Sequence, residues 1–339
     1  MAAGNGGEDM TNLAGQGFSV QEPSELSIII VNWNTRDLLR DCLNSVYSET
    51  RATSFEVFVV DNASSDSSVE MVKKEFPQVR LIENQENLGF AKANNQAIKQ
   101  NSGQYVLLLN PDTVVLSGAL DKMVAFMRAH PAVDASGPMI LNDDGSSQVS
   151  TLDTSYMFES GGLFLLRGWL ATYLLGLLVR KLGKRGTYSP HPRQVFALIG
   201  ACMMMTREAV DKVGLLDEQY FFYSEDIDWF YRLKQLGGKA YFIPEVQIIH
   251  YGAQSMTQII TRSKYYYQSK YLFTKKHHGK MAAYLFRIMV VIDSFVVICA
   301  FLLLQALVKR DRRKERNWRL RCRWQTLLWA VRRDKGGSN

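Results

Sequence analysis

Between residues 26 and 130 the chain alternates short apolar runs with stripes of helical period. Residues 26–31 (LSIIIV), 55–60 (FEVFVV), 79–82 and 105–109 (YVLLL) are brief and rich in aliphatic and β-branched side chains. Runs of this kind read as strands buried on both faces. Leu38, Leu39, Cys42, Leu43 and Val46 recur at helical spacing, as do Phe90, Ala91, Asn94, Ala97 and Ile98 within 90–99, and Leu120, Met123, Val124 and Met127. A further helix is expected from about Ser67, where Ser67 and Glu70 have the spacing of a capping box. Strands alternating with helices at this rhythm predict an α/β domain, Rossmann-like, with a mostly parallel sheet flanked by helices.

In such sheets ligands bind beyond the carboxyl ends of the strands. Asn32, Asp61, residues 84–87 and residues 110–112 all fall there. Past residue 150 the pattern weakens. The segment 163–182, within 156–190, is apolar with sparse Arg and Lys, and suits either an interfacial amphipathic segment or a pair of core helices. Residues 195–206 (VFALIGACMMMT) read as a buried strand with a glycine at close quarters, and 240–243 and 246–249 as two more short strands.

Residues 288–308 form an apolar stretch of 21 with Asp293 as its charged member. At about 1.5 Å per residue it reaches roughly 30 Å, enough to cross a bilayer. Asp293 near the centre of a span costs roughly 2.5–3.5 kcal/mol. Basic residues flank it on both sides, and a catalytic body and a basic tail would want the same side of a membrane. A re-entrant or in-plane helix meets both demands, and burial in a soluble core is the plain alternative. The expected organisation is a disordered tail at 1–24, a domain at 25–275, and a membrane-associated helix with a basic tail at 276–339. The first 24 residues lack a basic start followed by an apolar run, so no cleaved signal peptide is expected.

Charge sharpens this picture. The net charge is +7, yet residues 309–335 hold twelve Lys or Arg against three Asp or Glu, a local +9, which leaves −2 for the rest. The basicity belongs to the tail, which argues for an anionic membrane surface as partner and against a nucleic-acid-binding core. Arg and Trp interleave at Trp318, Arg319, Arg321, Arg323 and Trp324, which can stack bases. Beside an apolar helix the same mix suits a lipid interface better. The four cysteines are scattered, which fits a reducing compartment.

The carboxylates carry the candidate chemistry. Asp112, in LLLNPDT, follows a buried strand, where it can hold Mg²⁺ or Mn²⁺ against phosphate oxygens; Asn-Pro-Asp-Thr is equally an ordinary turn. Glu225, Asp226 and Asp228 lie within four residues among aromatics. Acids so placed are costly unless solvated or used. Asp226 or Glu225 can serve as a general base, and a helix N-terminus favours acids in any case. His250 is either a metal ligand or a structural histidine. Asp61, in VVDNASSD, can accept a pyrimidine N3–H, or simply belong to a turn.

Together SIIIVNWN, VVDNASSD, ENLGFAKANNQAI, LLLNPDT, IGACMMM and EDIDWFYRLKQLGGKAYFIPEVQIIH resemble, in order and spacing over about 26–251, the family-2 glycosyltransferases with the GT-A fold. Among these the resemblance is to rhamnosyltransferase-like members of bacterial polysaccharide assembly. It implies that Val31, Asn32 and Asn34 line a nucleotide pocket, that Asp61 contacts the base, and that Asn87, Gly89 and Asn94 lie near ribose and diphosphate. It implies that Asp112 is the last carboxylate of a D-x-D motif and binds metal, with Asn110 departing from the pattern at the first position. It further implies Asp226 as base, His250 as second metal ligand, and Gly200, Ala201, Glu225 and Asp228 around the donor sugar or acceptor. The implied reaction is an inverting transfer from a nucleotide diphosphate-sugar to a lipid-linked or polysaccharide acceptor; thymidine diphosphate-rhamnose and a polyprenyl-linked acceptor are the first expectation, with hexoses on uridine or guanosine diphosphate left open by these motifs. The implied place of work is the cytoplasmic face of the inner membrane.

Two other classes use parts of the same pattern. A nucleotidyltransferase also needs metal carboxylates on such a sheet, but VNWNTRD has no glycine-rich phosphate loop. A non-catalytic membrane-anchored binding module would need no Asp226.

Overall fold

The computed structural model describes residues 24–152, 190–252, 256–303 and 313–332. The expected interfacial segment at 163–182 and all but the end of the expected N-terminal tail lie outside them.

The expected strands and helices form in sequence as β1 (Leu26–Asn32), α1 (Arg36–Glu49), β2 (Phe55–Asp61), α2 (Ser68–Glu75), β3 (Arg80–Glu83), α3 (Phe90–Ile98) and β4 (Tyr105–Leu109). There follow β5 (Thr113–Val115), α4 (Ala119–Ala129), β6 (Ala135–Leu141), β7 (Thr151–Leu152), β8 (Arg193–Val195), β9 (Ala197–Leu198) and β10 (Cys202–Thr206). The chain continues with α5 (Arg207–Val213), α6 (Glu225–Gln235), β11 (Ala240–His250), α7 (Met256–Leu303) and α8 (Arg313–Val331).

The main sheet runs β3-β2-β1-β4-β10-β6-β11-β5, with β8 also on β11. The first four strands are parallel, in register from Leu26 beside Phe55 and Tyr105. The apolar runs of β1, β2 and β4 are nearly continuous because both faces of those strands are covered, whereas β3 at the edge is only partly buried. Ile28 and Ile30 pack with α1, α2 and α4, while Ile29 packs with α3, α5 and α6. The second half of the sheet is mixed: β10 is antiparallel to both β4 and β6, and β11 is parallel to β6.

Three expectations are refined. The 195–206 run holds the last residue of β8 and two further strands, β9 and β10, with a turn at 200–201 before β10. The two short strands at 240–249 are one strand, β11, with a register shift between Ile243 and Gln247. Ser67 does not cap α2 with its side chain; it sits at φ 63°, and Asp66 does the work. Asp66 Oδ1 accepts the Ser68 N–H at 3.1 Å and Oδ2 accepts the Arg36 N–H at 2.8 Å, so one carboxylate serves the starts of α1 and α2.

Candidate active site

Polar side chains gather at the carboxyl edge of β1, β2 and β4. Asn32 and Asp61 face each other in the β1–β2 register, and both are buried. Asn32 Nδ2 donates to Asp61 Oδ1 at 2.8 Å and to Ser64 Oγ at 3.1 Å, and Thr35 Oγ1 donates to Asn32 Oδ1 at 2.6 Å. The Ser64 N–H donates to Asp61 Oδ2 at 2.8 Å. Each Asp61 oxygen thus keeps acceptor capacity for a ligand N–H. Asn34, at φ 55°, accepts the Ser65 N–H at 2.7 Å and stitches the two loops together. Between them Trp33 stands exposed at the rim, with Val31 half-buried beneath.

A buried amide that the motifs did not single out, Asn62, joins this edge to the next loop. Its Nδ2 lies 3.3 Å from both Asn87 Oδ1 and the Gly89 carbonyl, and its Oδ1 accepts from Asn84 at 2.9 Å. Asn87 Oδ1 in turn accepts the Gly89 N–H at 3.0 Å. Gly89 adopts φ 82°, and a Cβ there would meet the Phe221 carbonyl oxygen at 2.5 Å, so only glycine fits. The Phe90 N–H donates to that same carbonyl at 2.9 Å, tying α3 to the loop before α6. Asn94 departs from expectation: it is buried and donates to the Phe90 carbonyl at 2.9 Å within its own helix.

The second half of the site begins where β4 ends. Thr113 pairs with His250 across β5 and β11, which brings His250 beside Asp112. His250 Nε2 lies 3.3 Å from Asp112 Oδ1 and 3.3 Å from Asn110 Nδ2. On the other side of the ring, Nδ1 lies 3.1 Å from Gln148 Oε1, while Gln148 Nε2 donates to the His250 carbonyl at 2.5 Å. Gln148 therefore presents an acceptor to Nδ1, an arrangement that favours the tautomer with the proton on Nδ1. Nε2 is left with its lone pair aimed between Asn110 and Asp112.

One turn joins this end to the acidic helix. The Asn110 N–H donates to the Ala201 carbonyl at 2.9 Å. Its neighbour Gly200 donates its N–H to Asp226 Oδ2 at 3.0 Å. The Ile227 N–H holds Asp226 Oδ1 at 2.8 Å. A Cβ at Gly200 would lie 3.1 Å from Asp226 Oδ2, so a larger residue there would have to displace the carboxylate by a few tenths of an ångström. Two consecutive residues thus link the strand-end acid stretch at 110–112 to the helix-start acid at 226, which are far apart in sequence.

The glycosyl transferase family 2 model matches residues 27–214, more than half of the chain. The chain belongs to this family. Among its relatives is the N-acetylglucosaminyl-diphospho-decaprenol L-rhamnosyltransferase of Mycobacterium tuberculosis, 28% identical over 241 residues, covering 66% of this chain and 75% of that one. The low-salt glycan biosynthesis hexosyltransferase Agl10 of Haloferax volcanii is 27% identical over 218 residues, covering 62% of each. The fold is that of the GT-A enzymes. The mannosyltransferase PcManGT of Pyrobaculum calidifontis, solved with GDP-Man and Mn²⁺, superposes with a TM-score of 0.51 at 16% identity over 92% of this chain and 89% of that one. GalNAc-T7 with UDP, GalNAc and Mn²⁺ gives 0.55 at 17% identity, over 92% and 56%.

In this family-2 glycosyltransferase, α6 and β11 lie beyond the matched residues, and the three acids of α6 meet three environments. Asp226 is half-buried, and burial pushes its pKa up while the Ile227 and Gly200 N–H groups pull it back. Glu225 is buried, its Oε2 has no hydrogen-bond partner, and burial together with repulsion from Asp226 raises its pKa well above the ordinary value.

Asp228 is not brought together with them. Residues two apart on a helix point about 200° apart. Asp228 is fully buried against α7, where Oδ1 accepts from His277 at 2.6 Å and Lys276 at 2.8 Å and Oδ2 accepts from Arg232 at 2.9 Å. Burial alone would raise its pKa, but His277, Lys276 and Arg232 together bring it down to about 2. A depressed carboxylate contributes stability that is full above the unfolded pKa and is lost as pH falls through the folded one. Unfolding free energy is therefore expected to drop by about 2 kcal/mol between roughly pH 5 and pH 2 through this group. Denaturant titrations of the parent and of Asp228→Asn should show the variant weakened at neutral pH and flatter over that acid range.

Proposed function

We propose that the protein transfers a sugar, with inversion, from a nucleotide diphosphate-sugar to a lipid-linked saccharide at the cytoplasmic face of a membrane. The observation that carries this reading is the Gly200–Ala201 turn, which grips Asp226 on one side and the Asn110–Asp112 stretch on the other. Asp226 takes the proton of the acceptor hydroxyl as its oxygen bonds to the anomeric carbon. The bond from that carbon to the diphosphate oxygen breaks, and its electron pair leaves with the diphosphate. Asn32 and Asp61, with Trp33 at the rim, hold the nucleotide base; Asn62, Asn87 and Gly89 shape the loop beside ribose and diphosphate. Gly200, Ala201 and the buried Glu225 border the sugar.

Asp112 and His250 suit a divalent cation. Adjacent ligands on a metal with bonds near 2.1 Å sit about 3 Å apart in octahedral geometry, close to the 3.3 Å between Asp112 Oδ1 and His250 Nε2. Gln148 fixes the ring, an orienting role common around metal sites, and Nε2 would ligate once the Asn110 amide, 3.3 Å away, gives up its place. No group of three or more His, Cys, Asp or Glu gathers among the described residues, so Asp112 and His250 are the two side chains that would hold the ion. Mg²⁺ or Mn²⁺ held there supplies positive charge against the departing diphosphate.

The rhamnosyltransferase among the relatives supports rhamnose as the sugar and a polyprenyl diphosphate saccharide as acceptor; thymidine diphosphate as its carrier rests on the sequence resemblance alone. The test is a donor screen with purified full-length protein, membrane lipid extract and Mn²⁺, reading nucleotide diphosphate release. Release with thymidine diphosphate-rhamnose that depends on added lipid is expected. Release unaffected by lipid would sink the acceptor assignment, and release from no nucleotide-sugar would sink the transferase reading.

A further inference from the structure

By length and composition, Tyr265–Cys299 of α7 could cross a bilayer. The structure folds that stretch back on itself. Gly279 breaks the helix with φ 89° and ψ 170°, close to the domain boundary expected at 275–276. Arg323 of α8 shows how far the chain turns there. One of its nitrogens lies 3.3 Å from the Tyr267 hydroxyl and 2.5 Å from Asp293 Oδ2. In an unbroken helix those two residues would be about 39 Å apart. Arg287 repeats the message nearer the turn, lying 5.7 Å over Tyr271 and 5.8 Å over Trp329 and donating to the Ala330 carbonyl at 2.6 Å. Residues 256–278 and 280–303 are thus a helical hairpin, with α8 packed on both arms.

The first arm is fixed to the catalytic body. Lys276 and His277 reach Asp228, Ser269 Oγ donates to the Phe222 carbonyl at 2.8 Å, and Tyr265 stacks on Phe221 at 4.7 Å. The second arm buries Ala283, Phe286, Val290, Ser294 and Ile298. Its outward stripe is apolar from end to end: Met281, Tyr284, Ile288, Ile292, Phe295 and Leu302, with Met281 72% and Phe295 61% exposed. An ordinary surface helix carries polar residues there. Only 28% of the most apolar window is buried, so this is no core helix. On α8, exposed Trp324, Leu328 and Val331 run between exposed Arg321 and Arg332.

We propose that this outward face, the second arm of α7 with α8, is a docking surface that lies in the plane of an anionic lipid leaflet. Its apolar stripe enters the acyl boundary, and Lys280, Arg321 and Arg332 meet anionic headgroups. A lipid occupant follows from charge: basic side chains flank the apolar stripe, and the chain from 309 to 335 carries +9. A crossing is disfavoured because charged groups stud the hairpin, with Lys275, Lys276 and Lys280 near the turn and Asp293, paired with Arg323 of α8, midway along the second arm. The surface stands apart from the choice of donor and acceptor, since its test reads binding without turnover.

The test floats purified full-length protein with vesicles of phosphatidylcholine, with and without phosphatidylglycerol. Flotation with the anionic vesicles, weakened by salt and reversed by alkaline carbonate, is expected. Ile292→Glu with Phe295→Glu should weaken binding at least tenfold, and Arg321→Glu with Arg332→Glu should erase the preference for phosphatidylglycerol. Far-ultraviolet circular dichroism and melting like the parent's are the control for folding. Should a variant pair fail that control, salt and carbonate release of the parent decide the matter. Retention through carbonate would overturn the proposal in favour of a crossing helix. Absence of flotation would overturn it outright, and so would a concentration-dependent dimer that the Ile292→Glu, Phe295→Glu pair dissociates.

Discussion

Replacing Asp226 with asparagine lowers kcat by about 10²–10⁴-fold, the range a positioned general base supplies. The amide keeps the size of the side chain and still meets Gly200 or Ile227 with its oxygen, although one of those two N–H donors then faces an NH₂ group. Nucleotide-sugar affinity should stay near the parent value, because in the proposed reaction Asp226 meets the acceptor hydroxyl while other residues hold the nucleotide. Its pH dependence is the sharper signature. Burial raises the Asp226 pKa above the ordinary carboxylate value, so the ionised base is lost as pH falls through that raised value. The acid limb of the kcat/KM profile of the parent should therefore sit above the usual carboxylate range, and the residual activity of the variant should lack it. Steady-state rates across pH check both points. Parent-like turnover in Asp226→Asn removes this residue from the base role.

The second large effect lies at Asp112 and His250. Chelation is expected to stop transfer, and returning Mn²⁺ to restore it. Asp112→Ala should cost about 10²–10³-fold in kcat, the scale seen when a group that stabilises developing charge is removed. His250→Ala should instead raise the metal concentration needed for half-maximal rate. The asymmetry follows from the proposed roles: Asp112 would bring a negative charge to the ion, whereas His250, held by Gln148, would bring a nitrogen lone pair alone. Because Asn110 stands where a second carboxylate would add charge, the metal requirement should already be easy to reveal by dilution. Activity untouched by a chelator would dismiss the cation.

Much of the site was legible because strand ends announce themselves. β1, β2 and β4 are unbroken apolar runs, and each stops at a polar residue that the parallel register then aligns. Asn32 beside Asp61 follows from that alone. What stayed hidden was set by tertiary contact. The run at 195–206 looks continuous, yet it must break at Gly200 to let a backbone N–H reach Asp226. Asp228 looks like a third member of an acidic cluster until helical geometry turns it toward Lys276 and His277. Asn62 carries no pattern of its own, being one amide in a loop of small polar residues. Gly279 lies before an apolar stretch, and a sequence period does not say whether a helix goes straight or doubles back; the partners of Arg323 do.

Gly200 and Ala201 contribute main-chain atoms, not functional groups, to the place where the two acid stretches meet. Their identity is therefore governed by room and not by reactivity. Ala201 lends only its carbonyl, so a modest change of side chain there can reshape the neighbouring wall without unhooking the strand end from the helix. If that wall borders the acceptor as proposed, a change at position 201 would alter what is accepted and leave the two hydrogen bonds that hold Asp226 in place.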